Sequence, residues 1–124
     1  MTEFFASDDP EHRQQLFFTR EELPDVGAPG VCYRLVGARR RNRSLCVMHE
    51  TYGPAADTGE EMISHSGEEA GVVIRGSIEI TVGDECRVLG AGDAYYFDTS
   101  TPHRMKNVGS GECEIVSAST PPTY

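Results

Sequence analysis

Gly71-Val72-Val73-Ile74-Arg75-Gly76-Ser77-Ile78-Glu79-Ile80-Thr81-Val82 decides the fold. The stretch is rich in Val and Ile, residues that suit a pleated and half-buried surface, and it reads as strand. Gly76 interrupts it, which predicts a bulge or a close approach of another backbone. Gly83-Asp84 is a tight-turn pair, and Glu85 to Leu89 follows as the second arm of a hairpin. Working outward, Gly90-Ala91-Gly92-Asp93 turns again into Ala94-Tyr95-Tyr96-Phe97. His103 to Val108 and Cys113 to Ala118 close the series, and Val31 to Val36 and Leu45 to Tyr52 open it. Many short strands with regular turn signals predict an all-β sandwich or barrel. Residues 1–30 read differently: a polar arm with Pro10, Pro24 and Pro29, and one helical turn at Thr19 to Glu22. Thr19 and Glu22 have the spacing of a capping box, and Leu23-Pro24 ends the turn. The apolar Leu16, Phe17 and Phe18 are candidates to cover a strand edge, in their own chain or in a partner.

Composition bounds the function. A chain of 124 residues makes one domain with a core of its own. No apolar run approaches the ~20 residues of a membrane span, and the acidic start from Met1 to Pro10 is no signal peptide, so a cytoplasmic protein is expected. Cys32, Cys46, Cys86 and Cys113 are far apart without a C-x-x-C pair, and read as reduced thiols serving as packing. A net charge of −9 argues against nucleic-acid binding, which needs a basic face. The cluster Arg39-Arg40-Arg41-Asn42-Arg43 is an anion site or a solvated loop, and does not offset that charge.

Two blocks carry the chemistry: His65-Ser66-Gly67-Glu68-Glu69 and Pro102-His103. Two imidazoles and a carboxylate form the ligand set of an open mononuclear centre of the non-haem iron kind. A flat strand would separate His65 from Glu69 by roughly 13 Å at ~3.3 Å per residue. They can share an ion only if the chain bends between them, and Ser66-Gly67 is a turn signal at that point.

These residues carry a family resemblance. From Gly59 to Tyr124 the chain resembles a small cupin, a double-stranded β-helix or jelly-roll barrel whose mouth usually holds one metal ion. In the first cupin motif His65 takes the second His position, Glu69 the Glu and Gly76 the closing Gly, while the first His position falls on Ile63. Gly92-Asp93, His103 and Asn107 match the second motif, with Asp98 and Ser100 at its usual Pro and Gly. The run His-Ser-Gly-Glu-Glu-Ala-Gly, with Tyr-Phe-Asp-Thr-Ser, Pro-His-Arg and a late Thr-Pro-Pro, resembles the cupin modules at the C-terminus of helix-turn-helix regulators of XRE type. The resemblance implies a barrel over residues 31–124 and a homodimer. With Ile63 unable to ligate, it implies a three-ligand site of His65, Glu69 and His103 for a divalent ion, Fe(II) first, with Mn, Ni or Zn as the others.

An enzyme needs an acid or base near the open metal position, and His49, Tyr96 and Glu61 are the candidates. Alternation puts His49 on one strand face with Leu45 and Val47, where a lone His is more often a satisfied packing residue. Arg75 and Arg104 are candidates for carboxylate or phosphate recognition, with a surface strand charge as the plain alternative. Two function classes follow: a metal-dependent oxygenase, lyase or isomerase acting on a small polar metabolite, and a non-catalytic sensor that binds a small molecule.

Overall fold

The computed structural model describes residues 15–59 and 62–124; the acidic stretch at the start of the chain lies outside them. The described residues form eight strands: β1 (Val31–Val36), β2 (Cys46–Tyr52), β3 (Glu68–Arg75), β4 (Ser77–Val82), β5 (Glu85–Gly90), β6 (Ala94–Asp98), β7 (His103–Lys106) and β8 (Cys113–Thr120). All pairings are antiparallel, in a five-stranded sheet ordered β1-β2-β8-β3-β6 and a three-stranded sheet ordered β5-β4-β7. The expected all-β barrel is therefore the observed fold. Gly76 separates β3 from β4 with φ +81°, and a Cβ there would lie 2.4 Å from the Glu112 carbonyl oxygen, so the backbones meet where only glycine fits. The expected strand from His103 to Val108 stops at Lys106, because the Asn107 N–H leaves the ladder to donate to the Ala56 carbonyl at 2.8 Å.

Period-two alternation sets what faces inward. On β2 the buried residues are Cys46, Met48, Glu50 and Tyr52; on β8 they are Cys113, Ile115, Ser117 and Ser119. One end of the barrel is apolar: Val31, Tyr52, Val73, Ile115 and Cys113 from the large sheet pack against Ile78, Ile80 and Met105 from the small one. Each such side chain contributes about 1.5–3 kcal/mol by leaving water. Toward the other end the inward row turns polar at Ser117 and Ser119, which opens the interior to chemistry. All four cysteines are free thiols; Cys46 and Cys113 are buried as packing residues, while Cys86 is exposed.

The capping box at Thr19 forms, with its N–H donating to Glu22 Oε1 at 2.9 Å ahead of a 3-10 turn at Arg20–Glu22. The edge of β1 is covered by Pro24 to Ala28: Val26 N–H donates to the Tyr33 carbonyl and Leu35 N–H to the Pro24 carbonyl. In the stretch from Gln15 to Phe18, Leu16 and Phe17 are 68% and 85% exposed, while Phe18 is half-buried. Pro24 has no N–H to donate but its carbonyl accepts, which suits the outermost position beside a sheet. No helix among the described residues is long and apolar enough to cross a membrane.

Candidate metal centre and ligand cavity

The residues before β3 run beside the β6–β7 loop and the first residue of β7, which belongs to the small sheet. Ile63 and His103 exchange both backbone hydrogen bonds, at 3.0 and 2.9 Å, and His65 N–H donates to the Thr99 carbonyl at 2.9 Å. This pairing brings the His65 and His103 rings to 5.5 Å between centroids, nearly perpendicular at 79°. The bend expected at Ser66-Gly67 is present. Gly67 has φ +128°, and a Cβ on it would lie 2.0 Å from the Thr120 carbonyl oxygen. The turn sends Glu69 into the same cavity as the two imidazoles.

Each of the three has a distinct setting. His103 is buried, and its Nδ1 lies 2.9 Å from the Thr101 carbonyl oxygen. A carbonyl accepts only, so Nδ1 carries the proton and the neutral ring keeps its Nε2 lone pair for a ligand. Phe97 packs at 4.9 Å from the same ring and fixes its plane. His65 Nδ1 is buried without a hydrogen-bond partner, a polar atom left for something to satisfy. Glu69 Oε2 accepts from the Tyr95 hydroxyl at 2.6 Å, and Gly71 makes that possible, since any Cβ there would strike the Tyr95 ring at 2.6 Å. Burial raises the Glu69 carboxyl above its ordinary value, against the Tyr95 hydrogen bond and the fields of His103 and His65.

The donor set suits a divalent ion: two imidazoles, one with a carbonyl behind it, and a carboxylate positioned by a tyrosine. As placed, no three His, Cys, Asp or Glu side chains among the described residues stand close enough to share one. The Glu69 carboxylate is held by the Tyr95 hydroxyl, and gathering the set requires these side chains to move closer together.

The cavity has a volume of about 260 Å³, and sequence reasoning missed its deepest charged residue, Glu50. Glu50 is 3% exposed and accepts from the hydroxyls of Tyr52, at 2.9 Å, and Ser117. Burial pushes its carboxyl up to about 7, with Glu69 adding to the shift and the two hydroxyls opposing it. A signal for it existed: Met48 and Tyr52 share its strand parity, and that apolar parity faces the core.

The three expected acid-base candidates do not gather around the cavity. His49 lies on the outer face of β2, where its Nε2 is 3.0 Å from Glu114 Oε1. The predicted grouping of His49 with Leu45 and Val47 is correct, but that parity points outward. Tyr96 is exposed on β6 and donates to Glu68 at 2.7 Å, while its neighbour Tyr95 points inward. Glu61 lies outside the described residues, as does Glu60. Arg75 pairs with Glu114 and Glu112 on the outer surface, and Arg104 pairs with Asp57. Their guanidinium groups are engaged within the chain. Ile63, at the expected first-ligand position, lines the cavity with an apolar side chain.

The cupin domain family model matches residues 48–119. The chain is 37% identical over 124 residues to the HTH-type transcriptional regulator PuuR of Escherichia coli K12, covering all of this chain and 66% of that protein. It thus spans just under two thirds of the length of that curated relative. Among solved structures, the cupin domain of an XRE family transcriptional regulator from Enterobacter cloacae superposes with a TM-score of 0.65 at 21% identity, over 75% of this chain and 98% of that one. Ectoine synthase from P. lautus superposes with a TM-score of 0.73 at 18% identity, over 87% and 79%.

Proposed function

The chain belongs to the cupin family, and from that premise we propose that it is a metal-binding small cupin acting on a small polar metabolite in the cavity. His65, Glu69 and His103 would hold the divalent ion, Fe(II) in the first place. One observation carries this reading: the three side chains line the same cavity, with the His103 proton held at Nδ1 by Thr101 and His65 Nδ1 unpartnered. When bound, the metal supplies Lewis acidity or oxygen activation. The chain's own residues do the rest. Tyr95 orients Glu69, Phe97 packs against the His103 ring, Ile63 adds an apolar lining residue, and Glu50 is a buried carboxyl able to take or give a proton near neutral pH. An exposed apolar outer face on the large sheet, with Val72, Ile74, Val116 and Tyr96, supports a homodimer.

The test is metal content by mass spectrometry on untagged protein, as purified and after anaerobic loading with Fe(II). About one ion per chain, lost in both His65→Ala and His103→Ala, supports the centre. No ion under either condition removes it and the enzyme reading with it.

A second reading is a sensor that binds a small molecule without turning it over. The 37% identity to a transcriptional regulator over the whole chain favours it. A cavity that takes a ligand and leaves it chemically unchanged in the metal-loaded protein would select this reading.

A further inference from the structure

The arginines of Arg39-Arg40-Arg41-Asn42-Arg43 take no part in the cavity; they lie on the loop that joins β1 to β2. A turn closed by the Arg40 N–H on the Gly37 carbonyl, at 3.0 Å, begins that loop, and Asn42 bends it at φ +56°. Arg43 is engaged within the chain, donating to the carbonyls of Leu45 and Tyr124. Arg39, Arg40 and Arg41 are exposed, and among the described residues none of the three has an ion-pair or hydrogen-bond partner for its guanidinium. Arg75 and Arg104 are balanced by neighbouring carboxylates, whereas this loop gathers like charges with nothing to offset their repulsion.

Beside the loop lies a groove of about 450 Å³. Its floor is apolar. Val36 and Val47 are directly opposed across β1 and β2, Leu45 lies two residues before Val47 on the same parity, and Leu16 and Phe18 complete the lining. Leu45 is 56% exposed, so this apolar surface stays in water in the single chain. Arg40 and Arg43 reach the same groove, and among the described residues no Asp or Glu lines it.

The charge pattern selects the occupant. Two copies facing each other here would press one arginine loop against another, which is repulsive. A membrane surface suits a protruding apolar face better than a groove, and a chain of net −9 is repelled by anionic lipid away from this loop. Nucleic acid would leave the apolar floor unused. An acidic peptide uses both halves, with an apolar side chain on the floor and carboxylates on the guanidinium forks. The acidic remainder of the chain repels such a peptide everywhere else and so directs it to this loop.

We propose that the groove between Leu16, Phe18 and the β1–β2 loop docks an acidic peptide segment of a partner protein. One aromatic or leucine side chain seats on Val36, Leu45 and Val47, and flanking carboxylates pair with Arg40 and its neighbours.

Fluorescence anisotropy of labelled synthetic peptides, titrated with the full chain at low salt, tests this. The first peptide has Asp and Glu on both sides of a central Phe-Leu pair; a second replaces the acids by Lys, and a third replaces Phe-Leu by Ala-Ala. The expected result is saturable binding of the first, weakened by added NaCl, with the other two at least 10-fold weaker. Arg40→Glu with Arg41→Glu, and separately Leu45→Asp, each lose at least 10-fold in affinity while circular dichroism and metal content stay at wild-type values. These positions are exposed, so the fold survives the changes. No saturation by the first peptide, equal binding of its Lys twin, or indifference to Arg40→Glu with Arg41→Glu overturns the proposal. Cosedimentation with phosphatidylserine vesicles by a chain that ignores the peptides would replace the proposal with a membrane surface.

Discussion

Ile63 and His103 stand directly opposite each other, joined by two backbone hydrogen bonds, one side chain apolar and the other an imidazole with its Nε2 free. Directly opposed residues in an antiparallel pair carry side chains on the same face, so a donor at position 63 would share the cavity with His103. Ile63→His is therefore expected to add a fourth ligand and tighten Zn(II) or Fe(II) binding at least 10-fold. Calorimetric titration of metal into apo wild type and variant decides it, and unchanged affinity would place the ion elsewhere.

Tyr95→Phe removes the 2.6 Å hydrogen bond to Glu69 and leaves the ring on Gly71 intact. Loss of a group that orients a ligand typically costs about 10–100-fold in metal affinity. The variant is expected to lose metal within that range while its melting temperature falls only slightly. A Kd equal to wild type would show that Tyr95 does not position the carboxylate.

Glu50 gives the apo protein a pH signature. Its carboxyl moves from 4.5 to about 7 on folding, so the folded chain binds the proton more tightly than the unfolded chain does. The stability from this group is fully present below about pH 4.5 and is lost as pH rises through about 7, on the order of 3 kcal/mol in all. Glu50→Gln should abolish that decline, melting closer to wild type at pH 5 than at pH 8, where the variant is the more stable. Parallel denaturation curves at both pH values would show that the carboxyl is not destabilised by burial.

Asn107 is fully buried, and its side chain ties the β7–β8 loop to the end of β2. Its Nδ2 donates to the carbonyls of Tyr52, Gly53 and Gly111 at 2.9–3.0 Å, and its Oδ1 accepts from Gly109 N–H at 2.9 Å. Asn107→Ala orphans these groups and is expected to destabilise the fold by about 2–4 kcal/mol, read as a lower urea midpoint with an unchanged slope. A loss under about 1 kcal/mol would mean that water replaces the amide without difficulty.

The outer face of the large sheet tests assembly. Val72 and Val116 are cross-strand neighbours there, with Ile74 and Tyr96 also exposed. Light scattering is expected to give twice the chain mass for wild type and the single-chain mass for Ile74→Asp. A wild-type monomer would leave these side chains as ordinary surface.

Much of the fold was legible because turn chemistry is local. Gly83-Asp84, Gly76 and the Ser66-Gly67 bend each declare a backbone geometry that the neighbouring residues must obey, and the strands fall between them. The cavity-lining trio was legible for the same reason, since His65 and Glu69 bracket such a bend. Glu50 was not, because a strand's parity says which residues share a face and leaves open which face is inside. His49 and Glu50 are adjacent, and only the packing of β2 against β8 separates an outward ion pair from an inward carboxyl. Tyr95 and Tyr96 pose the same choice on β6.

The central position of β8 has a consequence for how this chain can vary. Ser117 supports Glu50, while Ser119 lies beside Glu69, and the two serines share a single strand hydrogen-bonded on both sides. One inserted residue just before Ser117 would rotate Ala118 toward the cavity and turn both serines to solvent, with no free edge to absorb the slip. The chain can change length at Gly109 to Gly111, just upstream, at little cost to either carboxylate. In a scan of single-residue insertions, β8 should be a sharp minimum bordered by a tolerant loop.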